Sequence, residues 1–148
     1  MKDIYLVLNE ALVLIFNLVL KSEEKFIRSL VAKKLSITEI HTIDAIGKDS
    51  KKTMSEIATN LNITLGTLTT SINNLEKKGF VKRNRSEKDR RVVYVSLIEK
   101  GNEVFDQHDI FHKNMIKHIV NDLNQNEEKA LVKALENLIG YFMDNINK

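Results

Sequence analysis

A short predicted helix between Thr64 and Lys78 combines an apolar side with an unusual polar side. Its apolar residues follow the three–four–three spacing of a helix that rests on a core, and they are Leu65, Leu68, Ile72 and Leu75. The opposite side is small, polar and uncharged until its end: Gly66, Thr67, Thr70, Asn73, Asn74 and Lys77, with Thr64 as the N-cap. Threonine and asparagine can donate to and accept from base edges, and asparagine pairs well with adenine. Ordinary surface helices carry better helix formers such as Glu, Lys and Gln, so this face predicts contact with DNA.

A basic hairpin is predicted directly after that helix. Beyond Gly79 the apolar period changes from 3.6 to 2, which indicates one strand from Phe80 to Asn84 and a second strand that includes Val92 to Leu97. The charged residues of the hairpin are Arg85, Lys88, Asp89, Arg90 and Arg91. Arginines at such a tip can bind phosphates or enter an A·T-rich minor groove. Asp89 is expected to hold one of them by a charge-assisted hydrogen bond. A solvated basic turn is the alternative, but its position after the Thr/Asn helix favours DNA.

The basic residues of the chain are concentrated in this region. The net charge of the 148 residues is only +3, yet residues 51–100 contain eleven Lys/Arg against five Asp/Glu. Eight of those eleven lie between Lys77 and Arg91, which favours a phosphate-contacting surface. The chain has no cysteine, so disulfides, thiolate metal sites and thiol-based sensing are excluded, and a cytoplasmic location is expected.

Helix start and stop signals place the other elements. Ser36-Ile-Thr-Glu39 and Thr53-Met-Ser-Glu56 are capping boxes, and Gly47 ends the helix that the first box opens. The helix that starts after Thr53 and the helix that starts after Thr64 form a helix-turn-helix. A long helix is predicted before these elements, from about 3 to 30, and two helices after them, from about 99 to 122 and from 124 to the C-terminus.

These elements predict a mainly α fold: a winged helix-turn-helix with a two-stranded β-hairpin wing and an α-helical dimerisation domain formed by the N- and C-terminal helices. We assign residues 1–148 to a single domain, with the DNA-binding region at 36–100 and dimerisation helices at 1–32 and 102–148. The segment from Ile4 to Leu20 is mostly apolar, but asparagines and Glu10 interrupt it and no cleavage site follows. We therefore expect a helix buried at a homodimer interface and no membrane partner.

The motifs in this order resemble those of the MarR family of dimeric bacterial repressors. They are the ending LEKKG of the polar helix, Asp89-x-Arg91 in the wing and the continuation from Leu97 to Gly101. The segments IHTIDAIGK, TLGTLTTSINNLEKKG and RSEKDRRVV are similar to those of members that repress fatty-acid synthesis genes. The resemblance implies a homodimer on double-stranded DNA with an inverted-repeat operator, no required cofactor, and an acyl chain on acyl carrier protein as co-repressor. The family usually has threonine where Ile98 stands, so the start of the following helix is less well defined.

Two kinds of effector site remain open. One is an apolar pocket for the acyl chain, formed by Ile40, Ile43, Phe105 and Phe111. The other is a zinc site, since the family's zinc sensors use a comparable set of carboxylate and histidine ligands; its candidate ligands are Glu24, His41, His108 and His112, with Glu23 as the alternative carboxylate. His108 and His112 are four residues apart on one helix face, but a pair without the HExxH glutamate is a weak signal. The histidines could equally form hydrogen bonds within the core.

An enzyme is not expected, because the sequence has no cysteine nucleophile, G-x-S-x-G elbow, HExxH motif or phosphate-binding glycine loop. A nonspecific architectural DNA-binding protein remains as an alternative to a sequence-specific regulator. The two differ in how strongly they prefer one DNA sequence over another.

Overall fold

The computed structural model describes residues 3–30 and 35–146. These ranges contain six helices and three short strands: α1 (Ile4–Ser29), α2 (Ile37–Ile46), β1 (Lys52–Thr53), α3 (Met54–Leu61), α4 (Leu65–Lys77), β2 (Val81–Arg85), β3 (Val93–Leu97), α5 (Glu99–Val120) and α6 (Gln125–Ile146). The predicted mainly α winged helix-turn-helix fold is confirmed. The predicted dimerisation segments 1–32 and 102–148 include residues 1–2, 31–32 and 147–148, which lie outside the described residues.

Local capping signals set the helix ends as the sequence predicts. In the first capping box, Glu39 N donates to Ser36 Oγ at 3.2 Å and Ser36 N donates to Glu39 Oε2 at 2.8 Å. Thr53 and Glu56 form the same reciprocal pair at the start of α3. Helix α4 ends in a Schellman motif, in which Gly79 has a φ of 79° and Phe80 N donates to Leu75 O at 2.9 Å. The turn that carries the chain from α4 into the wing is therefore fixed.

The predicted two-stranded hairpin is present as β2 and β3, and it belongs to a three-stranded antiparallel sheet. Strand β3 lies in the middle, with β2 on one side and β1 on the other. Lys52 pairs with Val95 and Thr53 with Tyr94, so the segment before α3 is attached to the wing. Arg85, which the sequence places at the tip, is the last residue of β2 and pairs with Val93.

The chain divides into two compact units, residues 1–109 and 110–148. The first unit contains the apolar core, with α2, α3, α4 and the sheet contributing residues such as Ile43, Ile57, Leu68, Ile72 and Val95, each 0% exposed. The first turn of α5 rests against the backbone before β2, and Ile98 N donates to Phe80 O at 3.0 Å. This contact fixes the start of α5 although Ile98 offers no capping side chain.

Two long helices keep their apolar side chains exposed in the single chain. Large apolar residues of α1 from Ile4 to Leu20 are exposed, and so are Val132, Leu135, Ile139, Phe142 and Met143 of α6. Helix α1 is also long and apolar enough to cross a membrane by length and composition alone. The sequence predicts burial of this helix, and the single chain leaves its apolar surface uncovered.

Candidate nucleic-acid interface

The polar face of α4 is exposed along its whole length. Its members are Thr64, Gly66, Thr67, Thr70, Asn73, Asn74 and Lys77, and each is exposed in the structure. At the start of the helix Thr67 N donates to Thr64 Oγ1 at 3.2 Å, and Thr64 thereby caps the first turn. One turn later Thr70 Oγ1 donates to Gly66 O at 3.3 Å. The face predicted to contact bases is thus available to a ligand.

Two further residues of α4 are exposed although the sequence did not place them on this face. Leu65, predicted to be buried, is 52% exposed. It lies in the first turn, where the helix extends beyond the core, so the three–four–three spacing is correct for Leu68, Ile72 and Leu75 but not for its first member. Thr69 is also exposed, and its hydroxyl donates to Leu65 O at 2.8 Å. Its position next to Thr70 in a run of threonines is the signal that could have identified it.

The buried side of α4 is held against α2 by polar contacts as well as apolar ones. Buried Ser71 and Thr42 share a hydrogen bond between their hydroxyls of 3.1 Å. At the C-terminal end of α4, Lys78 Nζ lies 2.7 Å from Glu39 Oε1, a carboxylate that also caps α2. The orientation of the exposed face is therefore set by contacts on the far side of the helix.

An arginine of the wing contacts the polar face directly. Arg83 of β2 donates through Nη1 to Glu76 Oε2 at 2.8 Å and through its backbone N to Glu76 Oε1 at 3.3 Å. Its Nη2 donates to Asn73 Oδ1. Arg83 and Glu76 are not among the residues that the sequence predicts for this site, because nothing in a linear pattern indicates that β2 returns alongside this part of α4.

The wing tip presents cations around a small hydrogen-bonded turn. Ser86 Oγ accepts from the backbone N of Lys88 and of Asp89, and Asp89 Oδ1 accepts from Arg91 N at 3.0 Å and from Arg91 Nε at 3.3 Å. The predicted hydrogen bond between Asp89 and an arginine is confirmed, with Arg91 as its donor. The side chains of Arg85, Lys88, Arg90 and Arg91 are exposed, so they are available to phosphates.

The candidate effector residues occupy different environments. Ile40 and Ile43 are buried at 2% and 0% exposure, and Phe105 is half-buried against the same core. Phe111 belongs to the second unit. A crevice lined by Phe26, Ile27, Ile37, Ile40 and the Glu23–His41–His108 group has no space for a water molecule. An acyl chain could enter it only after its walls move apart.

The histidine cluster contains Glu23 and not Glu24. Glu24 is exposed, whereas Glu23 is 6% exposed and its Oε1 lies 3.2 Å from His41 Nε2 and 3.6 Å from His108 Nε2. Sequence alone gives no helix phase that distinguishes these neighbouring glutamates, so the carboxylate in the predicted set is corrected to Glu23. His112 belongs to the second unit.

His108 is buried between two carboxylates. Its Nδ1 lies 2.5 Å from Asp44 Oδ2, while its Nε2 faces Glu23. Burial acts to lower the pKa of His108, but the hydrogen bond and charge of Asp44, with those of Glu23, outweigh it and raise the pKa above the ordinary value. An imidazolium here can donate one proton to each carboxylate.

The known family and proteins that this chain resembles are transcriptional regulators. A family model described as "Transcriptional regulator SarA/Rot" matches residues 25–108. The HTH-type transcriptional regulator PchR of Bacillus subtilis is 30% identical over 70% of this chain, and the match spans 63% of PchR.

Among solved structures, Streptococcus pneumoniae FabT in complex with DNA superimposes with a TM-score of 0.86 at 45% identity, covering 95% of this chain and 98% of that chain. A mutant MarR from E. coli complexed with operator DNA has a TM-score of 0.62 at 20% identity, covering 93% of this chain and 99% of its own. The similarity to MarR, at 20% identity, concerns the fold alone. The similarity to FabT also includes the sequence, since 45% of the residues are identical.

Proposed function

The chain belongs to the MarR family of winged-helix transcriptional regulators, and on that premise we propose that it represses fatty-acid synthesis genes as a homodimer on an inverted-repeat operator. Two copies of α4 would lie in successive major grooves about one helical turn apart. The wings would contact the flanking backbone and minor groove.

The observation that carries the proposal is the exposed Thr/Asn face of α4 beside a cationic wing. Nonspecific binding needs contacts to phosphate alone, whereas recognition of a sequence also needs donors and acceptors that can reach base edges, and the Thr/Asn face of α4 provides them. The similarity to FabT, which was solved in complex with DNA and is 45% identical over 95% of this chain, supports DNA binding by this chain.

Selection of preferred duplexes from a random pool tests this role. The wild-type protein should select an inverted repeat and bind it at least about a thousandfold more tightly than unrelated DNA at physiological salt. Thr70→Ala should relax the preference at particular base pairs. A protein that binds all duplexes equally would be architectural, and the proposed repressor function would be wrong.

We further propose that acyl carrier protein loaded with a long acyl chain acts as the co-repressor. This rests on the resemblance to fatty-acid repressors, and the crevice lined by Phe26, Ile27, Ile37 and Ile40 beside the histidine cluster is the candidate receptor for the chain end. The test compares operator affinity with acylated and unacylated carrier protein. Ile40→Trp should alter the difference in operator affinity between the acylated and the unacylated carrier protein. Ile116→Trp, at a 53% exposed position in the second unit, is the control and should leave that difference unchanged. No difference between the carriers would contradict the co-repressor proposal.

A zinc-responsive regulator is the second candidate, favoured by the geometry of Glu23, His41 and His108. Their ligand atoms lie within 4.8 Å of one another, and two tetrahedral zinc ligands are about 3.4 Å apart. The carboxylate of Asp44 on the other nitrogen of His108 is the usual orienting partner of a metal-bound histidine. Without metal, a protonated His108 donates from Nδ1 to Asp44 and faces Glu23 with Nε2, and His41 contacts Glu23 separately.

Metal content and operator affinity distinguish these alternatives. The zinc proposal expects about one zinc per chain in protein purified without chelator, and a loss of this zinc in His41→Ala. His118→Ala, which changes an exposed histidine of α5, is the control. The zinc proposal would be wrong if the purified protein contained no stoichiometric zinc and its operator affinity did not respond to added zinc. The histidine cluster would then act through the proton of His108.

A further inference from the structure

The contact between Arg83 and Asn73 determines which atoms of Asn73 remain for a DNA base. Asn73 lies on the exposed face of α4, and its amide contacts the guanidinium of Arg83 through one atom. A guanidinium has five N–H donors and no acceptor. The atom of Asn73 that faces Arg83 must therefore be the carbonyl oxygen, and the usual ambiguity between the oxygen and the nitrogen of an amide does not arise.

Arg83 is itself held in place by its neighbours. Glu76 accepts from both the backbone N and the guanidinium of Arg83, and the Arg83 backbone is fixed in β2 opposite Val95. The Arg83 side chain is 28% exposed, compared with 93% for Arg91 at the wing tip. With its charge paired to Glu76 and its donors directed at α4, Arg83 differs from the phosphate-contacting arginines of the wing.

We propose that Arg83 fixes the orientation of the Asn73 amide, with the oxygen bound to the guanidinium and the N–H donors left for the major groove, which makes Asn73 selective for a base edge that carries acceptors alone. Guanine offers N7 and O6 there, and thymine offers O4. Adenine would require the oxygen of Asn73 to accept from its N6 amino group while the nitrogen donates to N7. That oxygen is directed at Arg83, so the adenine pairing expected from an isolated asparagine is disfavoured.

This inference rests on the proposed placement of α4 in the major groove, and duplex selection with full-length variants tests it. The wild type should select guanine or thymine at one base pair in each half-site. Arg83→Met, which keeps the aliphatic stem, should release the amide and raise the relative affinity for adenine at that position about 5- to 100-fold. Affinity for the best wild-type sequence should change by less, since the nitrogen can still donate.

Base analogues identify the atoms involved. Where guanine is selected, 7-deazaguanine at that position should weaken binding of the wild type; where thymine is selected, 5-methyl-2-pyrimidinone, which lacks O4, should do so. Neither analogue should affect Asn73→Ala. Glu76→Gln provides an intermediate variant, because it weakens the hold on Arg83 without removing the guanidinium.

Two results would overturn the inference. Arg83→Met could lose affinity for all duplexes equally with a shallower salt dependence, which would make Arg83 a phosphate contact. It could instead unfold more readily with an unchanged base preference, which would make Arg83 a structural bridge. If α4 does not read the major groove at all, the result is different: Asn73→Ala and Thr70→Ala would also leave the base preference unchanged.

Discussion

Two glycines of the DNA-binding unit differ in what an added methyl group would meet. A Cβ at Gly101 would lie 2.2 Å from Phe80 O and 3.3 Å from Leu97 Cβ. The start of α5 would have to move away from the wing to admit it. Gly101→Ala should therefore lower the free energy of unfolding by about 1–3 kcal/mol, measured by urea denaturation.

Gly66→Ala is the matched control, because among the residues that the structure describes its added Cβ would meet Thr64 Oγ1 alone, at 4.0 Å. This variant should keep the free energy of unfolding or raise it by up to about 1 kcal/mol, since alanine is the better helix former. Its operator affinity should fall if the backbone at Gly66 approaches a phosphate. Equal destabilisation of the two variants would contradict the packing argument.

The raised pKa of His108 makes the stability of the first unit depend on pH. The unfolded state has an ordinary histidine pKa of about 6.5, and the folded state binds the proton more tightly. The contribution of the His108 proton is thus complete below about pH 6.5 and is lost as the pH rises through the folded pKa. The free energy of unfolding should decline over that range, by at most about 1.4 kcal/mol per pH unit for this one proton.

Urea unfolding between pH 6 and 9, with chelator present, measures this decline. His108→Gln should flatten it. His118→Gln removes an exposed histidine and should leave it unchanged, and Asp44→Asn should reduce it because Asp44 supplies the main stabilising contact. A decline of equal slope in the wild type and His108→Gln would assign the dependence to other groups.

At the scale of elements, the features that the sequence predicts are those determined by neighbours in the chain. The capping boxes at Ser36 and Thr53 and the stop at Gly79 involve residues within a few positions of one another, and all three are present. Strand β1 has only two residues and exists because Lys52 and Thr53 pair with residues more than 40 positions away. No short-range pattern could have indicated it.

In the candidate site, too, the residues set by local spacing could be predicted, and the contacts between elements could not. The exposed face of α4 follows from helical spacing, so its members could be identified without coordinates. The contact of Arg83 with Asn73 depends on where β2 lies relative to α4, and the choice between Glu23 and Glu24 depends on the rotation of α1 about its axis. Such relations between elements are properties of packing and leave no pattern in the sequence.

The wing as an element should contribute affinity rather than specificity. Arg90→Ala removes an exposed cation from its tip. It should weaken binding to all duplexes and make the fall of log affinity with log salt shallower, by about 1 in the slope. Lys133→Ala, which removes an exposed cation from α6, is the control for net charge. A changed base preference with an unchanged slope would instead assign Arg90 to base recognition.

At the scale of the whole molecule, the exposed apolar surfaces of α1 and α6 need a partner. Soluble monomers rarely expose contiguous apolar patches of more than a few hundred square ångströms, yet α1 alone exposes Ile4, Leu8, Val13, Phe16 and other large apolar residues. We expect a second copy of the chain to cover these helices. Because α1 also has the length and composition of a membrane span, sedimentation with lipid vesicles is the necessary comparison.

Breaking the dimer should reduce DNA affinity without touching the DNA-binding unit. Val13→Glu on α1 and Ile139→Glu on α6 each place a charge on an exposed apolar surface, and each should yield a monomer by analytical ultracentrifugation. Linking two half-site contacts raises affinity by about 10²–10⁴-fold, so the monomers should lose a factor of that order on the full operator while binding an isolated half-site like the wild-type subunit.

Lys133→Glu introduces the same carboxylate at an exposed position of α6 already occupied by a charge and should remain dimeric. If Val13→Glu and Ile139→Glu stay dimeric and keep full operator affinity, these helices do not form the interface, and the apolar surface of α1 must serve another partner.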